Sequence, residues 1–269
     1  MKKFLFLATS LLFVSCSSFK IDRSTYKAKS QNERIRYIVL HYTAINDEKS
    51  IRALTNNEVS SHYLITTKKK DPIYSLVPDE KRAWHAGNSY FGGRTNLNDT
   101  AIGIEIVNMG YRKKHNGKVE FIPSDWYLPF DQTQIDKVAF LVKQLSEKYN
   151  ISPKNILGHS DIAPGRKQDP GPKFPWKQLY DNHGIGAWYN HADYVYFLNP
   201  ALYNQYSVPQ LKAELKKYGY KIEDESPEWD KGTQNAIYAF QSHFRPGLTN
   251  GVMDLETFAI LKALNKKYK

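Results

Sequence analysis

The chain is almost devoid of cysteine. Cys16 is the single one in 269 residues, so no intramolecular disulfide can form and packing must hold the fold together. Long hydrophobic runs are missing too. The apolar run from Phe4 to Val14 is too short to span a bilayer as a mature helix. Tandem repeats and low-complexity tracts are absent, which excludes solenoids and fibrous architectures. Acidic residues are the minority, 27 against 38 basic ones, for a net charge of +11. That excess fits any anionic polymer. No helix carries a dense Lys/Arg stripe and no nucleic-acid motif occurs, so no nucleic-acid partner is expected. The charge reads as a solvated basic surface, compatible with cell-wall carboxylates.

What remains is the composition of a soluble globular protein, with 41% hydrophobic residues. Aromatics reach 14%, including 19 Tyr and 5 Trp. Such residues line carbohydrate or peptide grooves and equally fill interfaces, and composition does not decide between these.

Lys2 and Lys3 ahead of the run Phe4–Val14 form an export signal. It ends at Val14-Ser15-Cys16-Ser17-Ser18, which resembles a bacterial lipobox with lipid on the Cys16 thiol. Phe13 stands where Leu is usual. Residues 1–16 are thus read as the signal and 17–33, rich in Ser, Lys, Gln and Asn, as a tether.

Strands are expected at Arg34–Thr43, Ser60–Thr67, Ile73–Val77, Lys81–Trp84, Ala101–Val107 and Ile156–Gly158. Helices are expected at Glu48–Asn56, Asp131–Tyr149 and Phe174–Tyr180, and Ser89–Thr100 as a long loop. Residues 182–205 read as a connecting segment. Three further helical stretches, Val208–Tyr218, Lys231–Phe244 and Asp254–Tyr268, form a small separate bundle spanning 206–269.

The most telling stretch is His159-Ser-Asp-Ile-Ala-Pro-Gly-Arg-Lys-Gln-Asp169-Pro-Gly171. Two Pro-Gly pairs prevent a regular helix or strand through it. A metal ion gripped by His159 and Asp169 would fix its shape. His41, closing the apolar run Ile38-Val-Leu40, is the candidate third ligand. Two His and one carboxylate leave a position on a tetrahedral zinc for water, the catalytic arrangement. The same loop presents Lys167. Glu105 is a lone carboxylate within Ile102-Gly-Ile-Glu-Ile-Val107 and needs water or a cation beside it. Next to zinc it could take a proton from bound water and pass it to a leaving amine. His62, Trp84 and His85 are candidates for a substrate groove, and the two histidines read equally well as hydrogen-bonded structural residues.

Together, His41-Tyr-Thr, Ser61-His-Tyr-Leu-Ile65, Ala83-Trp-His-Ala-Gly87, Ile102-Gly-Ile-Glu-Ile106 and the loop Gly158–Gly171 resemble the type 2 N-acetylmuramoyl-L-alanine amidases over residues 34–181. These are zinc enzymes related to the peptidoglycan recognition proteins. The resemblance implies an α/β fold with a central mixed β-sheet flanked by helices and one Zn2+ per chain. It makes His41, His159 and Asp169 the ligands, Glu105 the general base and Lys167 the stabiliser of the oxyanion. Asp as third ligand and Glu as base resemble the branch of AmpD- and AmiD-like amidases. The last helices resemble a three-helix peptidoglycan-binding domain, through Leu211–Tyr220, Thr233–Gln241 and Asn250–Leu261, with Asn250-Gly251 in place of the usual Asp-Gly. The implied protein is a monomeric outer-membrane lipoprotein facing the periplasm. It would cleave the bond between N-acetylmuramic acid and L-alanine in peptidoglycan or muropeptides. A non-catalytic recognition protein and a wall peptidase are the rival readings.

Overall fold

The computed structural model describes residues 21–22, 24–31, 33–56, 59–112 and 121–268. The expected signal segment, Cys16 and the start of the tether lie outside the described residues. The chain divides into two units, with the boundary between residues 32 and 33. In the first, the Asp22 carboxylate accepts from the Ser24 and Thr25 backbone N–H groups and closes a local turn. All that follows concerns the second.

Its elements begin with β1 (Tyr37–Tyr42), α1 (Asp47–Asn56), β2 (Tyr63–Ile65) and β3 (Tyr74–Ser75). A small hairpin of β4 (Tyr90–Phe91) and β5 (Arg94–Thr95) precedes β6 (Ala101–Ile106). Then come α2 (Gln132–Tyr149), β7 (Ile156–Gly158), the one-turn α3 (His159–Ile162) and α4 (Trp176–His183). The chain ends in α5 (His191–Phe197), α6 (Pro200–Tyr203), α7 (Val208–Tyr218), α8 (Lys231–Phe244) and α9 (Leu255–Lys267).

The sheet is mixed, in the order β3-β2-β6-β1-β7. β1, β2, β6 and β7 run parallel and β3 is an antiparallel edge. Parallel strands lie covered on both faces, and β1 accordingly is buried from Tyr37 through His41. α2 supplies part of that cover. Its apolar positions Ile135, Val138, Ala139, Leu141, Val142 and Leu145 recur at helical spacing and all are buried. Asp131 starts it with a capping box shared with Gln134, and Asn150 in the left-handed region stops it.

The C-terminal helices pack against the sheet half. One apolar core runs from Ile38, Ile104 and Leu157 through Trp176 and Leu179 to Leu215, Phe240 and Leu264. The β4–β5 hairpin takes part, with the Phe91 ring edge-on to Tyr218 and Tyr220 at 6.2 and 5.7 Å.

Some expectations shift. Lys81–Trp84 forms no strand, because its backbone donors bond locally and to side chains. Lys81 N–H reaches the Pro78 carbonyl, and Trp84 N–H reaches Ser60 Oγ. The loop 89–100 contains the hairpin, and 182–205 contains α5 and α6. These two short helices draw their stability from α9, against which they pack. Pattern within so few residues could not reveal them.

Candidate metal centre

Parallel pairing brings the chemical groups together. In the register of β1 with β6, His41 lies beside Glu105, so both side chains leave the same face of the sheet. In the register of β1 with β7, Leu40 lies beside Gly158. The next residues, His41 and His159, therefore emerge side by side at the C-terminal ends of their strands, where open α/β sheets form their sites. The loop after α3 then folds back, and Ser160 N–H donates to the Asp169 carbonyl at 2.8 Å.

The result is a tight triangle. His41 Nδ1 and His159 Nδ1 are 2.9 Å apart, and each is 3.0 Å from Asp169 Oδ2. All three residues are buried. Ligands about 2.0–2.1 Å from a tetrahedral ion stand roughly 3.3 Å from one another, so the spacing fits one metal. The tautomers fit as well. His159 Nε2 is 3.1 Å from the Ala86 carbonyl, an acceptor only, so that nitrogen carries the hydrogen and Nδ1 is left with a lone pair. His41 Nε2 in turn meets His85 Nδ1 at 3.0 Å.

Protonation is also that of a ligand set. Burial, with His159 alongside, lowers the His41 imidazole to about 4, against the pull of Asp169. Burial works to raise the Asp169 carboxyl, but the charge and N–H donation of His159 and His41, when Nδ1 carries the proton, outweigh it and hold it well below the usual carboxylate range, a role that a cation would take over from that proton. A neutral His41 and an ionised Asp169 are what a divalent cation needs.

The triangle opens into a cleft of about 560 Å³ that also exposes Glu105, Lys167 and Trp84. Glu105 is partly buried, and its Oε2 is sealed from solvent without a hydrogen-bond partner. Burial and the nearby Asp169 charge push its carboxyl up to about 8, with Lys167 opposing. An unpaired carboxyl beside an acceptor triangle is the mark of a site built around a cation. Trp84 is 53% exposed at the mouth, with the Arg82 guanidinium 4.2 Å over its ring.

The three candidates for the groove part company. Trp84 and His85 line the cleft and His62 does not. His62 is fully buried, taking the Gly103 N–H on Nδ1 and meeting the Lys81 carbonyl with Nε2. His85 is a brace for His41. It lies flat against Gly103, where a Cβ would overlap the imidazole ring. Sequence reasoning passed over Tyr42, Tyr111 and Arg166, which also line the cleft. Arg166 Nη2 donates to the Ala86 and Asn88 carbonyls at 2.6 and 2.8 Å and so holds the segment that receives His159. Its place between His159 and Asp169 was the available signal.

Comparison with known proteins agrees with this geometry. Residues 31–172 match the N-acetylmuramoyl-L-alanine amidase family, and residues 204–261 match a peptidoglycan binding domain. The chain is 38% identical to the N-acetylmuramoyl-L-alanine amidase AmiD of Escherichia coli, over 100% of this chain and 99% of that one. The crystal structure of AmpDh3 from Pseudomonas aeruginosa superposes with a TM-score of 0.82 at 40% identity, covering 93% of this chain and 99% of that one. A complex of the E. coli AmiD with anhydro-N-acetylmuramic acid-L-Ala-D-gamma-Glu-L-Lys gives 0.79 at 39% identity, covering 91% and 93%. An α/β protein with a buried His-His-Asp triangle at the ends of its parallel strands is thus defined by fold and site together. The chain belongs to the N-acetylmuramoyl-L-alanine amidase family.

Two outcomes follow from the packing and charge. Replacing Gly103→Ala drives the His85 ring off His41 Nε2. Metal affinity, measured by chelator competition, should fall by about 10–100-fold, the usual cost of losing an outer partner of a ligating histidine; unchanged affinity would show that His85 does not orient His41. The second outcome concerns Glu105 in metal-free protein. Its folded value near 8 lies above the unfolded value, so its stabilising contribution is complete below about pH 4.3 and is lost as pH rises toward 8. Metal-free Glu105→Gln should melt progressively higher than wild type across that window and match it at the acidic end; a difference that stays constant with pH would contradict the assignment.

Proposed function

We propose that the chain is a zinc-dependent N-acetylmuramoyl-L-alanine amidase that hydrolyses the bond between N-acetylmuramic acid and L-alanine in peptidoglycan or its muropeptide fragments. The observation that carries the reading is the convergence of His41 Nδ1, His159 Nδ1 and Asp169 Oδ2 within 3.0 Å beside the unpaired carboxyl of Glu105. Two nitrogens and one oxygen suit Zn2+ and leave room for water. Bound there, zinc would supply an acidified water and polarise the scissile carbonyl.

The protein's own groups do the rest. Glu105, unpaired and poised by burial, takes a proton at its carboxylate and returns it to the departing amine of L-alanine. Lys167, exposed on the cleft wall, offers its ammonium to the negative charge growing on the carbonyl oxygen, worth several kcal/mol in order of magnitude. Trp84 presents an aromatic face to the sugar or the peptide. Residues 34–181 are the catalytic part, 182–205 a connection and 206–269 a wall-binding part that raises local substrate concentration. Cleavage of the signal before Cys16 would leave a lipid on the Cys16 thiol, and that lipid with the tether 17–33 would hold a monomer at the outer membrane, facing the periplasm.

Digestion of sacculi followed by mass spectrometry tests the reaction. New L-alanine N-termini are expected. Cuts inside the stem peptide would instead make the protein a wall peptidase, and intact sacculi with zinc bound would make it a recognition protein. Glu105→Ala should lower turnover by about 10²–10⁴-fold while zinc content stays at one per chain; full activity refutes the base. Cys16→Ala should move the protein from the membrane fraction to the soluble one, and an unchanged distribution rules the lipid anchor out.

A further inference from the structure

The loop that carries two of the three ligands is held from behind by the C-terminal helices. His159 opens α3, and a single turn of helix has no stability of its own. Asp161 closes that turn, its Oδ2 accepting from the Gly158 backbone N–H at 2.8 Å. The same carboxylate is then claimed by two residues far along the chain. His243 Nδ1, on α8, donates to Oδ2 at 2.7 Å, and the Tyr220 hydroxyl, just past α7, donates to Oδ1 at 2.6 Å. Asp161, His243 and Tyr220 are 1%, 3% and 0% exposed, so water cannot replace either donor. The His243 ring stacks on Trp176 at 3.8 Å and 17°, which fixes the direction of its Nδ1.

One further contact from α8 braces the same loop directly and another reaches it through Tyr127. The Asn235 amide occupies the space where a Cβ on Gly165 would stand, at a backbone φ of +77°. The Tyr238 hydroxyl lies 3.0 Å from that of Tyr127, which donates to Gln168 Oε1 at 3.3 Å, next to the ligand Asp169. An element serving only to bind the wall has no need to meet the ligand loop at Asp161 and Gly165.

We infer that the C-terminal helices are a working part of the metal centre: Tyr220 and His243 act as positioning residues that hold Asp161, and through it His159, in ligand geometry. The inference rests on the zinc reading above. A buried carboxylate stripped of a donor must turn to find another, and Asp161 cannot turn without releasing the Gly158 N–H and opening α3. The ligand triangle would then be made only part of the time, and metal affinity would fall with the fraction of competent protein.

The test uses the full-length chain, with zinc affinity from chelator competition, kcat and KM at saturating zinc, and melting curves. Tyr220→Phe and His243→Leu should weaken zinc binding by about tenfold or more, with kcat near wild type once zinc is saturating. His243→Asn, which can put an N–H donor near the position of Nδ1, should restore most of the affinity. Arg245→Gln breaks the ion pairs with Asp254 and Glu256 in the same helices but leaves Asp161 alone. It should lower the melting temperature without changing zinc affinity. Zinc affinity within about twofold of wild type in Tyr220→Phe and His243→Leu overturns the inference, and so does an equal loss in Arg245→Gln. Should His243→Leu fail to fold, Tyr220→Phe decides alone. A wild-type chain that takes up no zinc would sink the proposed function and this inference together, whereas normal zinc in every variant sinks the inference only.

Discussion

Three acceptor atoms held about 3 Å apart in a buried pocket repel one another unless something positive lies between them. That constraint governs the amidase-like half of the molecule. The two Nδ1 atoms and Asp169 Oδ2 are forced together by the backbone, and the chain meets the cost by bonding the outward-facing nitrogen of each imidazole. His159 Nε2 has the Ala86 carbonyl, and His41 Nε2 has His85. With these outer bonds made, rotating a ring away from the triangle would break a buried hydrogen bond. The ligands therefore stay convergent, prepared for a cation.

The sheet explains why these residues and no others meet. Parallel pairing of β1 with both β6 and β7 sets His41 level with Glu105 on one side and with His159 on the other. A slip of one residue in either pairing would turn His41 into the opposite apolar layer. The unbroken burial of β1 from Tyr37 to His41 makes such a slip costly, since every residue of that stretch is packed. Core packing thus determines the registration of the site, and the site inherits its precision from side chains that take no part in chemistry. Gly103 belongs to the same logic. It lies two residues before Glu105 on the same face, and its missing side chain makes the room that His85 occupies.

How much of this was legible beforehand depended on the length scale of each signal. The strand ending in His41, the helix at 131–149 and the Pro/Gly-rich loop each announce themselves within a dozen residues, and the structure has them all. Motifs in register carried the candidate ligands, because the family resemblance extends over the whole sheet half. What the sequence hid was long-range. Asp161 reads as a loop polar residue, and nothing local shows that its carboxylate is shared with Tyr220 and His243. The short helices α5 and α6 are stable only against α9 and leave no periodic trace. His62 and His85 stand in similar aromatic surroundings in the sequence, and their rings meet edge-on at 5.8 Å, yet one is fully buried and the other borders the cleft. Their difference lies in which neighbour each imidazole finds.

Glu105 and Asp169 show how one pocket assigns opposite states to two carboxyl groups. Both are removed from water, which alone would protonate both. Asp169 receives two imidazole partners and stays ionised, whereas Glu105 receives none at Oε2 and holds its proton to about 8. Each also acts on the other, since the Asp169 charge is one of the causes that raise Glu105. A cation entering the triangle cancels that charge and adds attraction for a second anion, so it lowers the proton affinity of Glu105 toward neutrality. With a cation there, the Glu105 carboxyl would be able to accept and release a proton near neutral pH. A cation in the triangle and the proton on Glu105 would thus be linked through Asp169.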